Sequence, residues 1–227
     1  MLDLSYKVPS KSNITALKLI DDITLSGATG TNISSSIIIN QNGKTITNQL
    51  TVPAFNVNNS DLTWEGGIAN INSANGSDCL FNLNNSSLIM RNVTATAGTS
   101  VAEIGNNSYF SSDVCSFSTL SDTAAIIVVK DASRAEVGTN LFNGPTGSKA
   151  ALLAAGSTGT LDILASSVGS MPIYAYGRVQ RANGHYMYSR DLNIAADSAN
   201  GDTVYLNMNY TANAPQTVAS PAVLQLG

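Results

Sequence analysis

A short polar motif ending in serine recurs along the middle of this chain at a nearly constant interval, and no other feature restricts its fold as much. Asn58-Asn59-Ser60 lies between Phe55-Asn56-Val57 and Leu62-Thr63-Trp64, with apolar residues alternating on both sides. Asn84-Asn85-Ser86 lies in the same way between Phe81-Asn82-Leu83 and Leu88-Ile89-Met90. Asn106-Asn107-Ser108 follows Ile104 and precedes Phe110, Asp131-Ala132-Ser133 precedes Ala135-Glu136-Val137, and Gly156-Ser157 precedes Leu161-Asp162-Ile163. Successive serines are 26, 22, 25 and 24 residues apart.

A period of this size marks a repeat architecture, in which each unit buries its apolar face only by stacking on its neighbours. Every unit here holds short stretches alternating with period two, and none holds the run of about ten helical residues that a βα repeat requires. The expected unit is one coil of two or three strands, and the expected fold is all-β, a parallel β-helix over residues 21–170. Ile23-Thr24-Leu25 and Ile37-Ile38-Ile39 read as a shorter opening coil. Residues 1–20 are expected to cap it, with a helical turn between Ser12 and Ile20 closing the first rung against edge pairing.

Composition agrees with strand. Only 11% of residues are charged, so solubility rests on Ser, Thr and Asn, whereas helical surfaces favour Glu and Lys. A formal charge of -4 offers phosphate backbones no attraction, and nucleic acid is excluded as a partner. The longest apolar runs, such as Ala125 to Val129, fall far short of the roughly 20 residues that cross a bilayer as a helix, so no membrane insertion is expected. Met1 to Lys7 lacks the basic and apolar regions of a secretory signal. Cys79 and Cys115 have no partner at metal-ligand spacing and read as small core residues.

Rungs of a β-helix lie about 4.8 Å apart, so Asn59, Asn85 and Asn107 are expected to share one column, each amide donating to the carbonyl of the next. In this column of asparagines at a tight turn the chain resembles the pectate-lyase-like right-handed parallel β-helix superfamily. The resemblance covers about two thirds of the sequence and implies a right-handed coil. It implies nothing about a reaction.

Beyond residue 170 the repeat stops at Pro172. Ile173 to Val179, the turn Asn183-Gly184 and His185 to Tyr188 read as an antiparallel hairpin, and Thr203 to Tyr210 as a further strand. Residues 171–227 are therefore expected to form a separate antiparallel module that caps the solenoid. Of the eight tyrosines, Tyr174, Tyr176, Tyr186, Tyr188, Tyr205 and Tyr210 lie there. The first two are expected to face Tyr186 and Tyr188 across the hairpin and to offer one aromatic surface for subunit contact or sugar.

Site chemistry is sparse. Gly144 to Ala150 mimics a phosphate loop but has Ala150 where a hydroxyl belongs, and Asn70 to Gly76 mimics a calcium loop without carboxylates. Both read as turns. His185 has no ligand partner at useful spacing, so neither metal nor cofactor is expected. A Ser-His-Asp triad is defined by geometry, which spacing leaves open. Glu65, Arg91 and Asp113 are expected in one outer column as a charged surface ladder. Glu136 and Asp162 are expected in a second outer column on consecutive rungs, near the separation of a retaining glycosidase pair. They read as structural, with catalysis by this pair the alternative.

A charge-poor β-helix ending in a tyrosine-rich β module resembles bacteriophage tailspike and tail-fibre proteins. That resemblance implies a homotrimer in the virion tail, contacting other tail proteins and binding host-surface glycan. Two alternatives remain on the same scaffold, a polysaccharide hydrolase or lyase and a bacterial surface adhesin.

Overall fold

The computed structural model describes residues 16–73, 79–175, 177–181, 184–190, 203–206 and 223–225. In chain order the strands are β1 (Ala16–Lys18), β2 (Ile23–Leu25), β3 (Thr31–Ile33), β4 (Ile37–Asn40), β5 (Ile46–Asn48), β6 (Phe55–Asn58) and β7 (Asp61–Ser73). They continue as β8 (Phe81–Asn84), β9 (Ser87–Ala97), β10 (Ala102–Gly105), β11 (Tyr109–Asp113), β12 (Cys115–Thr119), β13 (Ala125–Val129), β14 (Arg134–Val137), β15 (Asn140–Asn143), β16 (Lys149–Leu153) and β17 (Thr160–Leu164). A single turn, α1 (Ala165–Val168), precedes β18 (Ile173–Tyr174), β19 (Gly177–Gln180), β20 (His185–Ser189), β21 (Thr203–Leu206) and β22 (Val223–Gln225).

Up to β18 these strands coil into a parallel β-solenoid of about six turns, each turn giving one strand to each of three faces. The first face stacks β3, β6, β8, β10, β13, β16 and β18. The second stacks β1, β4, the first half of β7, the first half of β9, β11, β14 and β17. The third stacks β2, β5, the second halves of β7 and β9, β12 and β15. Asp61 pairs with Ser87, Ser87 with Tyr109 and Tyr109 with Arg134, matching the serine intervals. Arg134 then pairs with Thr160, because Thr158 and Gly159 lengthen the last corner.

The corner between the first and second faces explains the recurring asparagine. Asn59, Asn85, Asn106, Asn107 and Asp131 hold φ of 51°, 47°, 52°, 60° and 51°, and Gly156 holds 77°. Asn and Asp tolerate this left-handed region better than other side chains do, and Gly has no Cβ to clash. The amide of Asn85 donates to Asn59 at 2.9 Å, but the next donor is Asn106, to Asn84 at 2.8 Å, and not Asn107. The cause is an inserted residue. Asn84 pairs with Gly105 while Ser87 pairs with Tyr109, so three residues stand opposite two and Asn107 falls out of the expected column.

Beneath the amides runs a buried column of hydroxyls. The backbone N–H of Ser60 donates to Ser86 Oγ at 3.2 Å, that of Ser86 to Ser108 Oγ at 3.1 Å, and that of Ser108 to Ser133 Oγ at 3.1 Å. The hydroxyls of Ser60 and Ser86 in turn donate to Ile33 O and Val57 O at 3.1 and 3.0 Å. Ser86 and Ser108 thus supply acceptors to backbone N–H groups that the corner would otherwise bury unbonded.

Inside the coils, Phe55 stacks on Phe81 with centroids 5.0 Å apart, and Trp64 meets both edge-on at 4.9 and 5.3 Å. Leu62, Leu88, Ala135, Leu161 and their neighbours two positions on fill the rest of the second face's inner side. The Trp64 indole donates to Gln41 Oε1 at 2.8 Å, so the one polar atom of that aromatic cluster is bonded although wholly buried. Cys79 and Cys115 are buried in this packing.

Two expectations change. Ala16–Lys18 is a strand paired in parallel with Ile38–Asn40, not a helical turn, since its alternation suits the exposed edge of β4; residues 1–15 lie outside the described residues. Asn70–Ser73 belongs to β7 and not to a turn, because Asn70 to Asn72 continue in register with Thr94 to Thr96. The C-terminal part is antiparallel, as expected, and it joins the solenoid edge to edge: β18 still pairs in parallel with β16, and β20 adds antiparallel to β17, extending the second face. An unpaired last rung would expose a row of backbone donors and acceptors, which β20 takes up. On the third face α1 closes the stack, Ser167 Oγ accepting from Asn140 N–H at 2.9 Å and donating to Gly138 O at 2.6 Å.

Two outcomes follow for stability. Ser108→Ala leaves the buried Ser86 N–H without an acceptor and is expected to cost about 2 kcal/mol in urea unfolding, whereas Asn85→Gly, which keeps the left-handed turn at the exposed corner, is expected to cost under about 1 kcal/mol. Burial, partly offset by backbone hydrogen bonds, pushes the Cys115 thiol up to about 11. The unfolded chain therefore releases this proton first as pH rises, so stability is complete below the ordinary thiol value and falls as pH climbs through about 11. Unfolding free energies measured from pH 8 to 12 are expected to show a shallower alkaline loss in Cys115→Ala than in the wild type.

Candidate functional site

Outward positions on the second face alternate with the core positions, so the residue after each column serine and the residue two further on both face solvent. Over the last coils this makes two columns. One holds Tyr109, Arg134 and Thr160; the other holds Ser111, Glu136 and Asp162. Glu136 and Asp162 therefore stand on consecutive rungs about 4.8 Å apart, with Val137 opposite Ile163. Strand β20 then returns antiparallel along β17 and sets His185 opposite Leu164, beside Asp162.

These side chains line a groove of about 400 Å³ formed by Ser111, Asp113, Arg134, Glu136, Asp162 and His185 with the backbone around Gly138. Both central carboxylates are engaged. Glu136 accepts from the Tyr109 hydroxyl at 2.6 Å through one oxygen and pairs with Arg134 through the other. Asp162 Oδ1 lies 2.5 Å from His185 Nδ1, which places the ring proton on Nδ1, and Asp162 Oδ2 lies 3.7 Å from Arg181 Nε. Burial, then the bond to Glu136, raises the Tyr109 phenol above its ordinary value, so it stays a donor at neutral pH. Asp113, at the groove's edge, accepts from Thr139 N–H at 2.9 Å.

The expected charged ladder does not form as ion pairs. Glu65, Arg91 and Asp113 do share one column in register, but the ion pairs among the described residues join Glu103 to Lys130, Glu136 to Arg134, and Asp162 to Arg181 and His185. Nor does the groove hold a serine triad. Ser111 is two rungs from Asp162, and Ser112 is buried with its hydroxyl bonded to Asn140 at 3.0 Å. Among the described residues no cluster of three His, Cys, Asp or Glu has metal-binding geometry.

The described tyrosines of the C-terminal part do not form one surface. Tyr186 and Tyr188 lie opposite Gln180 and Arg178, because β19 begins at Gly177, and Tyr174 belongs to the last parallel strand, opposite Leu152. Tyr174 is 41% exposed with Lys149 Nζ 5.1 Å from its ring centre, whereas Tyr188 is buried in the core and meets Tyr186 edge-on at 6.3 Å. The Arg178 guanidinium lies 4.7 Å from the Tyr186 ring and 4.9 Å from that of Tyr205. Tyr176, Asn183 and Tyr210 lie outside the described residues. Sequence reasoning missed Tyr109 and Arg134 although each directly follows a column serine, and it set His185 aside for want of a ligand partner at useful spacing.

Comparison with protein-family models, with curated proteins and with solved structures returns no match.

Asp162 ties the returning strand to the last coil through two half-buried partners. Asp162→Asn is expected to speed amide exchange across residues 185–189 about fivefold, equivalent to about 1 kcal/mol of local stability, while residues 109–113 keep their protection.

Proposed function

We propose that this solenoid is a tail-fibre or tailspike-like structural and receptor-binding protein, assembled as a homotrimer in a phage tail, which recognises host-surface polysaccharide and does not cleave it. One observation carries the reading: the groove presents a preformed network in which Glu136 is held by Tyr109 and Arg134, and Asp162 by His185. Such groups keep fixed positions before a ligand arrives, which lowers the ordering cost of binding sugar hydroxyls. The same bonds disfavour catalysis, because a general acid must exchange its proton freely with the scissile oxygen.

Cleavage of the polysaccharide is the second reading, favoured by the consecutive-rung placement of Glu136 and Asp162. Incubating the protein with envelope polysaccharide from candidate bacterial hosts separates the two. Retention on the polysaccharide with no new reducing ends is expected. Reducing ends that appear with the wild type and vanish in Glu136→Gln would replace binding alone with hydrolysis.

A further inference from the structure

Building on the glycan-binding reading of the groove, we infer that its ligand is an uncharged, extended hexose polysaccharide whose chain runs parallel to the solenoid axis, successive sugars facing successive coils. Direction comes from how the groove is built. Ser111 and Asp113 lie on one coil, Arg134 and Glu136 on the next, Asp162 on the third, and His185 on the strand beyond it. The coils repeat every 4.8 Å or so, a step comparable to the advance of an extended pyranose chain per sugar. A chain along the axis therefore meets a polar pair at each coil. A chain laid across the strands would meet one coil's side chains and leave.

Charge selects the sugar. Arg134 is neutralised by Glu136, Arg181 and His185 share Asp162, and Asp113 adds a third carboxylate to the lining. An acidic sugar would bring its own carboxylate against these three, and like charges at such range are repulsive. Neutral hydroxyls gain instead. An ionised carboxylate offers about four acceptor sites, and the bonds to Tyr109 and His185 leave several of them open to a sugar O–H.

The test is a printed array of neutral and acidic polysaccharides, followed by calorimetry on the full chain with neutral oligosaccharides of one to six hexose units cut from the best binder. Neutral glycans are expected to bind, with affinity rising steeply up to three units and then levelling. Glu136→Gln, checked for an unchanged melting temperature, is expected to weaken the trisaccharide at least tenfold. Glu103→Gln, on the first face, is expected to leave it unchanged. Binding confined to acidic glycans, or independent of chain length, overturns this inference and leaves the glycan-binding reading standing. If no glycan on the array is retained, both fall together.

Discussion

Everything in this molecule depends on rung-to-rung backbone hydrogen bonding in a constant register. A parallel strand pairs with the strand one coil away, so any coil that lost its phase would rotate its apolar residues out of the core along with those of every coil above it. What holds the phase is the corner between the first and second faces. Its left-handed residues turn the chain at the same point in each coil, and the serine after them locks the coil to its neighbour through a hydroxyl that reaches the next rung. The period is uneven, yet the register survives, because length differences fall at corners, as where Glu65 to Ala69 stands opposite Arg91 to Val93 between the second and third faces. Asn107 in one coil, and Thr158 with Gly159 in another, bulge where no sheet pairing is interrupted.

The same logic shows where the backbone is least at ease. At the corner between the second and third faces Asn92 adopts φ of 53°, and one coil later Val114 adopts 54°. A β-branched side chain in that region is strained. Val114 is held there by its N–H bond to Thr139 O at 2.7 Å and by Cys115, whose N–H reaches Asn140 Oδ1 at 2.7 Å. The stack imposes the turn even on a residue that resists it. Tertiary register outweighs local preference here, as it does at Ala16–Lys18.

Much of the solenoid was legible because a stacked fold writes its geometry into the chain as a period. The intervals between serines, the alternation around them and the inward set of Leu62, Trp64, Leu88 and Met90 all translate directly into the observed coils. The Glu136 and Asp162 column was legible for the same reason. Asn107 was misplaced because a one-residue insertion is invisible to a spacing of 22, which fits either corner asparagine. The hairpin register was misjudged because tyrosines on both sides of a turn suggest facing pairs, while Gly177 starts the strand later and leaves Tyr174 on the preceding coil. His185 could not be placed at all, since nothing in linear spacing records which rung an antiparallel strand will return to.

That last point explains why the candidate site sits near the end of the stack. Inside a parallel solenoid each outward residue meets only residues of its own column and the columns beside it, so the middle coils can offer ladders such as Asn56 with Asn82 and Asn58 with Asn84. Ladders repeat one chemistry. At the final coil the chain reverses, and β20 brings His185, with Arg181 just before the turn, against a column that began as Ser111 and Glu136. Four chemically different groups then converge within three rungs: a phenol, a guanidinium, carboxylates and an imidazole. The reversal that the last rung needs to pair its open edge is thus the same event that lets the outer surface become a specific site.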